Sequence, residues 1–181
     1  CGWTMTFYGA QAQCCNKSCL KNIPKKDDLK PLRFQDGNWR LRHGVMRYMC
    51  LPGQLELKIQ KIVEKCGCGA ELWPDRDKYD VKITLPDGQV WAIDAKTHRN
   101  PYMLKKSIEK DYVFTHTKAQ KVFYVVPDDC LTDYPDYCKI CNDALASRFP
   151  DSIAKCVSMR IFSKELKGEV EDVKLRNYQK K

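Results

Sequence analysis

The feature that most constrains this chain is a charged pair set inside an apolar strand. Gln89-Val90-Trp91-Ala92-Ile93-Asp94-Ala95-Lys96 is a largely apolar run. It follows Tyr79-Asp80-Val81-Lys82-Ile83-Thr84-Leu85, which alternates apolar and polar residues, and Pro86-Asp87-Gly88 between them is a strong turn signal. The two segments predict an antiparallel hairpin. Residues two apart on a strand share a face, so Asp94 and Lys96 point one way and Ile93 and Ala95 the other. Burying a carboxylate and an ammonium is costly unless they have work to do. Asp80 begins the partner strand, and its distance from Asp94 depends on a register that the sequence leaves open.

The surrounding pattern places this hairpin in a mixed sheet. Leu55, Ile59 and Ile62, with Val63 beside them, give residues 55–64 one apolar helical face, and Cys66-Gly67-Cys68-Gly69 ends it. Asn100-Pro101 opens a second helix reaching about Tyr112. Lys121–Val126 is an apolar run stopped by Pro127, as a buried strand would be. A helix over 137–149 and a strand over 156–162 follow. Helix, hairpin, helix, strand, helix, strand means α/β: a mixed central sheet flanked by helices. Residues 164–181 are polar and read as a frayed helix or tail. The expected division is a Cys-rich, basic segment at 1–50, a core at 51–163 and a polar C-terminal tail at 164–181.

Charge is uneven along the 181 residues, whose net charge is +9. Residues 1–65 carry 12 basic and 5 acidic side chains, 66–98 carry 4 and 6, and 99–121 carry 6 and 2. An acid-rich stretch between basic ones suits acids that hold cations beside Lys and Arg that hold phosphates; a solvated surface is the plainer alternative. No run of 18 apolar residues exists, so a membrane span is not expected. The first residues lack the basic start and apolar run of an export signal, so a cytoplasmic setting is expected, and an upstream region stays open.

The chemistry that paired carboxylates and a lysine suit is phosphodiester hydrolysis. Asp80 and Asp94, helped by the Ala95 carbonyl, can hold Mg²⁺ or Mn²⁺, which prefer oxygen ligands and retain waters. Bound metal lowers the pKa of an attacking water, and Lys96 can orient that water or neutralise developing charge. The plainer reading makes Asp80 and Asp87 turn caps and Asp94–Lys96 an ion pair on an edge strand; bulky Trp91 and Ile93 weigh against it.

Asp80 and then Asp94-Ala95-Lys96 on the next strand resemble the PD-(D/E)xK, or restriction-endonuclease-like, nuclease superfamily. Leu51-Pro52-Gly53, Leu72-Trp73-Pro74, Tyr79-Asp80 and Trp91–Lys96 resemble a narrower group: nucleases found beside helicases in prokaryotic defence islands, including those built around prokaryotic PIWI proteins. The resemblance covers roughly residues 50–160. It implies a DNA endonuclease, with RNA as a second possible substrate and a helicase or other defence protein as partner. It also implies a metal-binding Glu from the preceding helix, a place that Glu56 fits. The literal Pro-Asp lies at Pro74-Asp75, so Asp75 and Asp77 stay open as alternatives to Asp80. His98 and Arg99 lie at the rim, and Lys105 and Lys106 follow on the next helix as candidate nucleic-acid contacts; a structural histidine and solvated lysines are the plainer alternative. A catalytically inactive binding or docking module on the same fold is the competing function.

Eleven cysteines fall in two groups. Cys14, Cys15 and Cys19, with Cys50 or Cys66-Gly67-Cys68 completing the set, can supply four thiolates to a structural Zn²⁺. Cys130, Cys138, Cys141 and Cys156 read as buried free thiols. A thiol-redox role for Cys138-x-x-Cys141 ranks behind, because Asp133 and Asp136 upstream would raise the thiol pKa.

Overall fold

A computed structural model describes residues 5–8, 11–14, 42–45, 50–115 and 117–179. The chain divides into two compact units, Cys1–Leu51 and Pro52–Lys181. In the first, β1 (Met5–Tyr8) and β2 (Gln11–Cys14) pair antiparallel with Met5 opposite Cys14, and α1 (His43–Val45) is a single helical turn. Cys15 and Cys19 lie outside the described residues, and so does the side chain of Cys14. Cys50 is a half-buried free thiol.

The second unit begins with α2 (Leu51–Lys65), whose Leu55, Ile59 and Val63 are buried. Its end is set by Gly67 at φ 79°, which lets Gly67 N–H reach the Glu64 carbonyl at 2.9 Å and Cys68 N–H the Val63 carbonyl at 3.2 Å. These two bonds satisfy carbonyls that a helix end otherwise leaves without donors. Then come β3 (Gly69–Leu72), α3 (Pro74–Asp77), β4 (Val81–Thr84), β5 (Val90–Ala95) and α4 (Pro101–Lys110). The unit closes with β6 (Lys121–Val126), α5 (Asp129–Asp133), α6 (Tyr137–Arg148), β7 (Ala154–Ser158) and α7 (Met159–Gln179).

The five strands lie in chain order, β3-β4-β5-β6-β7. β3–β4 and β4–β5 are antiparallel and β5–β6 and β6–β7 parallel, so the sheet is mixed, as expected. β5 is central, which removes the edge-strand reading of Asp94 and Lys96. Strand alternation sorts the core into two layers. Val81, Ile83, Trp91, Ile93, Phe123 and Val125 face α2 and α7; Ala92, Val122, Tyr124, Val126 and Cys156 face α4 and α6. The two crossovers between parallel strands run through α4 and through α5–α6. On the outer edge of β7, the Asn142 amide donates to the Cys156 carbonyl at 3.0 Å and accepts from Cys156 N–H at 2.7 Å, standing in for a further strand.

Two expectations are corrected. The last strand ends at Ser158, and residues 159–162 belong to α7 rather than to a strand at 156–162. Residues 164–179 are not a polar tail: Phe162, Leu166, Val170 and Val173 recur at helical spacing and bury in the same cluster as Leu55, Ile59 and Val63. Each full burial is worth about 2 kcal/mol, enough to hold the helix down despite its polar outer face. β3, α3 and α5, each four or five residues long, had no sequence signal.

Candidate active site

Glu56, Asp94 and Ser158 are the non-aromatic polar side chains buried in the described core. Two of them belong to the proposed site, and both stand at one end of the sheet. There β4 begins and β5, β6 and β7 end. β4 pairs with β5 so that Val81 faces Ile93; continuing that register by one residue sets Asp80 across from Asp94. Asp80 N–H donates to the Ile93 carbonyl at 3.0 Å, and Asp80 Oδ2 accepts from Ala95 N–H at 2.5 Å. This supplies the register that the sequence left open.

Asp94 is 3% exposed. Lys96 Nζ lies 2.8 Å from its Oδ2, an ion pair with the buried carboxylate. Burial is the main force on Asp94 and pushes its pKa up to about 7; Lys96 pulls it down and Asp80 pushes it further up. Tyr124 stands opposite Asp94 on β6, and burial, followed by the Asp94 charge, keeps its phenol neutral.

Glu56 approaches from the α2 layer. Burial raises its pKa most, the indole N–H of Trp73 opposes that, and Asp80 and Asp77 raise it again. Trp73 Nε1 donates to Glu56 Oε2 at 2.8 Å. Its backbone N–H meets the Asp80 carbonyl at 2.9 Å, so one residue ties Glu56 to the start of β4. Trp73, Arg76 and Asp77 hold left-handed backbone (φ 51°, 63° and 65°), a costly conformation for bulky residues and one that clusters at functional sites. Trp73 was a neighbour in the motif without an assigned role; its signal was a tryptophan directly before Pro74-Asp75. The Asp75 side chain is not described.

The rim residues differ in what they do. His98 is exposed, and its pKa is lowered by lost hydration and then by the Lys96 charge. Arg99 meets Asp129 at 2.8 Å and Asp133 at 2.9 Å, which fastens the loop after Lys96 to α5. Lys105 lies 3.9 Å from Glu109, and Lys106 is exposed.

The chemistry of this donor set fits a hard divalent cation at one point above all. A buried carboxylate, balanced by a single ammonium, faces a second carboxylate across the strand pair. Among the described residues no three His, Cys, Asp or Glu side chains close into a group that could hold an ion. Glu56 therefore stands beside the Asp80–Asp94 pair rather than within it.

A family model described as "REase associating with pPIWI_RE" matches residues 53–173. The chain belongs to this family. No curated protein and no solved structure matches. The pPIWI-linked REase family is restriction-endonuclease-like, which agrees with the mixed sheet and with the resemblance of the Asp80 and Asp94–Lys96 motif. Its match runs from the start of α2 to Val173, the last buried residue of α7. No described helix is long and apolar enough to cross a membrane.

Proposed function

We propose that the protein is a metal-dependent endonuclease that hydrolyses DNA phosphodiester bonds as part of a pPIWI-linked antiviral defence system. The observation that carries this reading is the buried Asp94, facing Asp80 and touching Lys96, at the end of the sheet where β5, β6 and β7 stop. Asp80 and Asp94, with the Ala95 carbonyl and Glu56 nearby, would hold Mg²⁺ or Mn²⁺. The metal would supply a more acidic water and charge neutralisation at the phosphate.

This chain's own groups have separable roles. Asp80, fixed by Ala95 N–H, aims one carboxylate at the pair. Lys96 balances the buried Asp94 charge and offers N–H donors to a phosphate oxygen. Trp73 holds Glu56 in place, and the Arg99–Asp129–Asp133 contacts fix the loop beyond Lys96. His98 and Lys106 are the exposed groups available to a backbone phosphate, with Lys105 beside Glu109. A helicase or another defence protein would deliver the substrate.

The test is plasmid cleavage with Mg²⁺ by the wild type, Asp94→Ala and Lys96→Ala, with Mg²⁺-dependent thermal stabilisation measured in parallel. Loss of both cleavage and stabilisation in Asp94→Ala is expected. Equal cleavage by all three proteins refutes the assignment. A second reading, an inactive nucleic-acid-binding module on the same fold, expects no cleavage and equal or tighter DNA binding in Asp94→Ala.

A further inference from the structure

Holding Glu56 does not account for all of Trp73. The residue is tied at two points to the candidate site: Nε1 donates to Glu56 Oε2 at 2.8 Å, and the backbone N–H donates to the Asp80 carbonyl at 2.9 Å. These bonds fix the indole, yet the residue stays 54% exposed. It also holds left-handed backbone at φ 51°, a conformation costly for a bulky side chain and found where function imposes it. Steadying a carboxylate needs only an N–H donor, which smaller side chains supply without leaving an aromatic face in water. Strain and exposure in one anchored ring point to a ligand for that face. The neighbouring charges narrow its chemistry. Asp80 and Asp77 lie close enough to Glu56 to raise its pKa, with Lys96 opposing them, so a bare phosphate is repelled beside the ring. A nucleobase is flat and neutral, and it covers an indole by stacking. Within a duplex each base is already stacked and out of reach, so a base offered to Trp73 has to be unpaired.

We propose that Trp73 is a stacking platform for an unpaired base beside the scissile phosphate, and that the substrate is single-stranded or locally opened DNA. This role rests on the nuclease reading and narrows its substrate class. The phosphate of the stacked nucleotide would lie toward the Asp80–Asp94 end of the sheet, where Lys96 offers N–H donors, while its base covers the exposed indole. Because the ring is bonded to Glu56 and to the Asp80 backbone, a base resting on it is placed relative to both carboxylate residues. Trp73 would thus set which phosphate of the strand meets the site.

The test measures binding of fluorescein-labelled oligothymidine, and of its duplex with oligoadenine, to the full chain by fluorescence anisotropy with Ca²⁺ as the divalent ion. Trp73→Leu should lose about tenfold in affinity for the single strand and less than about twofold for the duplex. Trp73→Phe, which keeps a ring but not the N–H, should stay within about threefold of the wild type on the single strand. Equal single-strand affinity of Trp73→Leu and wild type overturns the stacking role. So does an equal loss in Trp73→Phe and Trp73→Leu, which would assign the effect to the Glu56 bond. In either case plasmid cleavage by the wild type still upholds the nuclease reading, whereas a wild type that binds neither DNA overturns both. The wild type should itself bind the single strand more tightly than the duplex; the reverse order overturns the proposal even where a variant does not fold.

Discussion

Replacing Asp94 with Asn should stabilise the metal-free protein at high pH, and the gain should vanish in acid. The Asp94 carboxyl is 3% exposed and its pKa rises from 3.8 to about 7 on folding. Below pH 3.8 the acid is protonated in both the folded and unfolded chain, and the full stability is present. As pH rises toward the folded value, the unfolded chain ionises first, so stability is lost across that window. A shift of about 3 pH units at about 1.4 kcal/mol per unit gives a penalty of about 4 kcal/mol at pH 8, and under about 1 kcal/mol at pH 4. Asn keeps the shape and removes the charge. The attraction of Lys96 is already contained in the raised value, so the net gain stays at about 4 kcal/mol. Urea unfolding of wild type and Asp94→Asn in EDTA at pH 4, 6 and 8 measures the difference. A gap that widens with pH in favour of the variant is expected. A flat gap, or one that favours the wild type at pH 8, would refute the claim that burial dominates Lys96 at this position.

Three further outcomes follow from single contacts. Trp73→Phe keeps the ring but removes the N–H that Glu56 accepts, so it should cost about 1–2 kcal/mol at pH 8 and less at pH 4, where Glu56 is protonated; equal losses would deny the bond its charge-dependent part. Asn142→Ala strips both side-chain bonds from the outer edge of β7 and should cost about 1–3 kcal/mol in urea, with faster hydrogen exchange at the Cys156 amide. Gly67→Ala forces a Cβ into φ 79° and should lower stability by about 1 kcal/mol in thermal melts, although no atom lies near enough to clash.

The hairpin was legible because three local signals agreed: alternation in 79–85, the turn at 86–88 and the apolar run after it. The pairing of Asp80 with Asp94 was not, because a one-residue slip would leave the same composition with the opposite facing. α7 was misread because its apolar residues are sparse. Phe162, Leu166, Val170 and Val173 are separated by charged residues, and only their common spacing marks a buried stripe. Arg99 was legible as a cation near the site but not as the partner of Asp129 and Asp133, about 30 residues away in the chain. Glu56 came from the family resemblance, and the indole that holds it could not be inferred from either helix or strand periodicity.

The shared cluster of α2 and α7 has a consequence for the order in which the domain is built. The two helices lie at opposite ends of the second unit, yet Leu55, Ile59 and Val63 rest against the same core as Leu166, Val170 and Val173. Until α7 is synthesised, that side of the central sheet is covered by α2 alone, and the strand that carries Asp94 is only partly shielded from behind. A ribosome-bound chain whose α7 has not yet emerged would expose the apolar backs of Trp91, Ile93 and Phe123. The candidate site on that strand would thus be completed only after α7 has been made and docked.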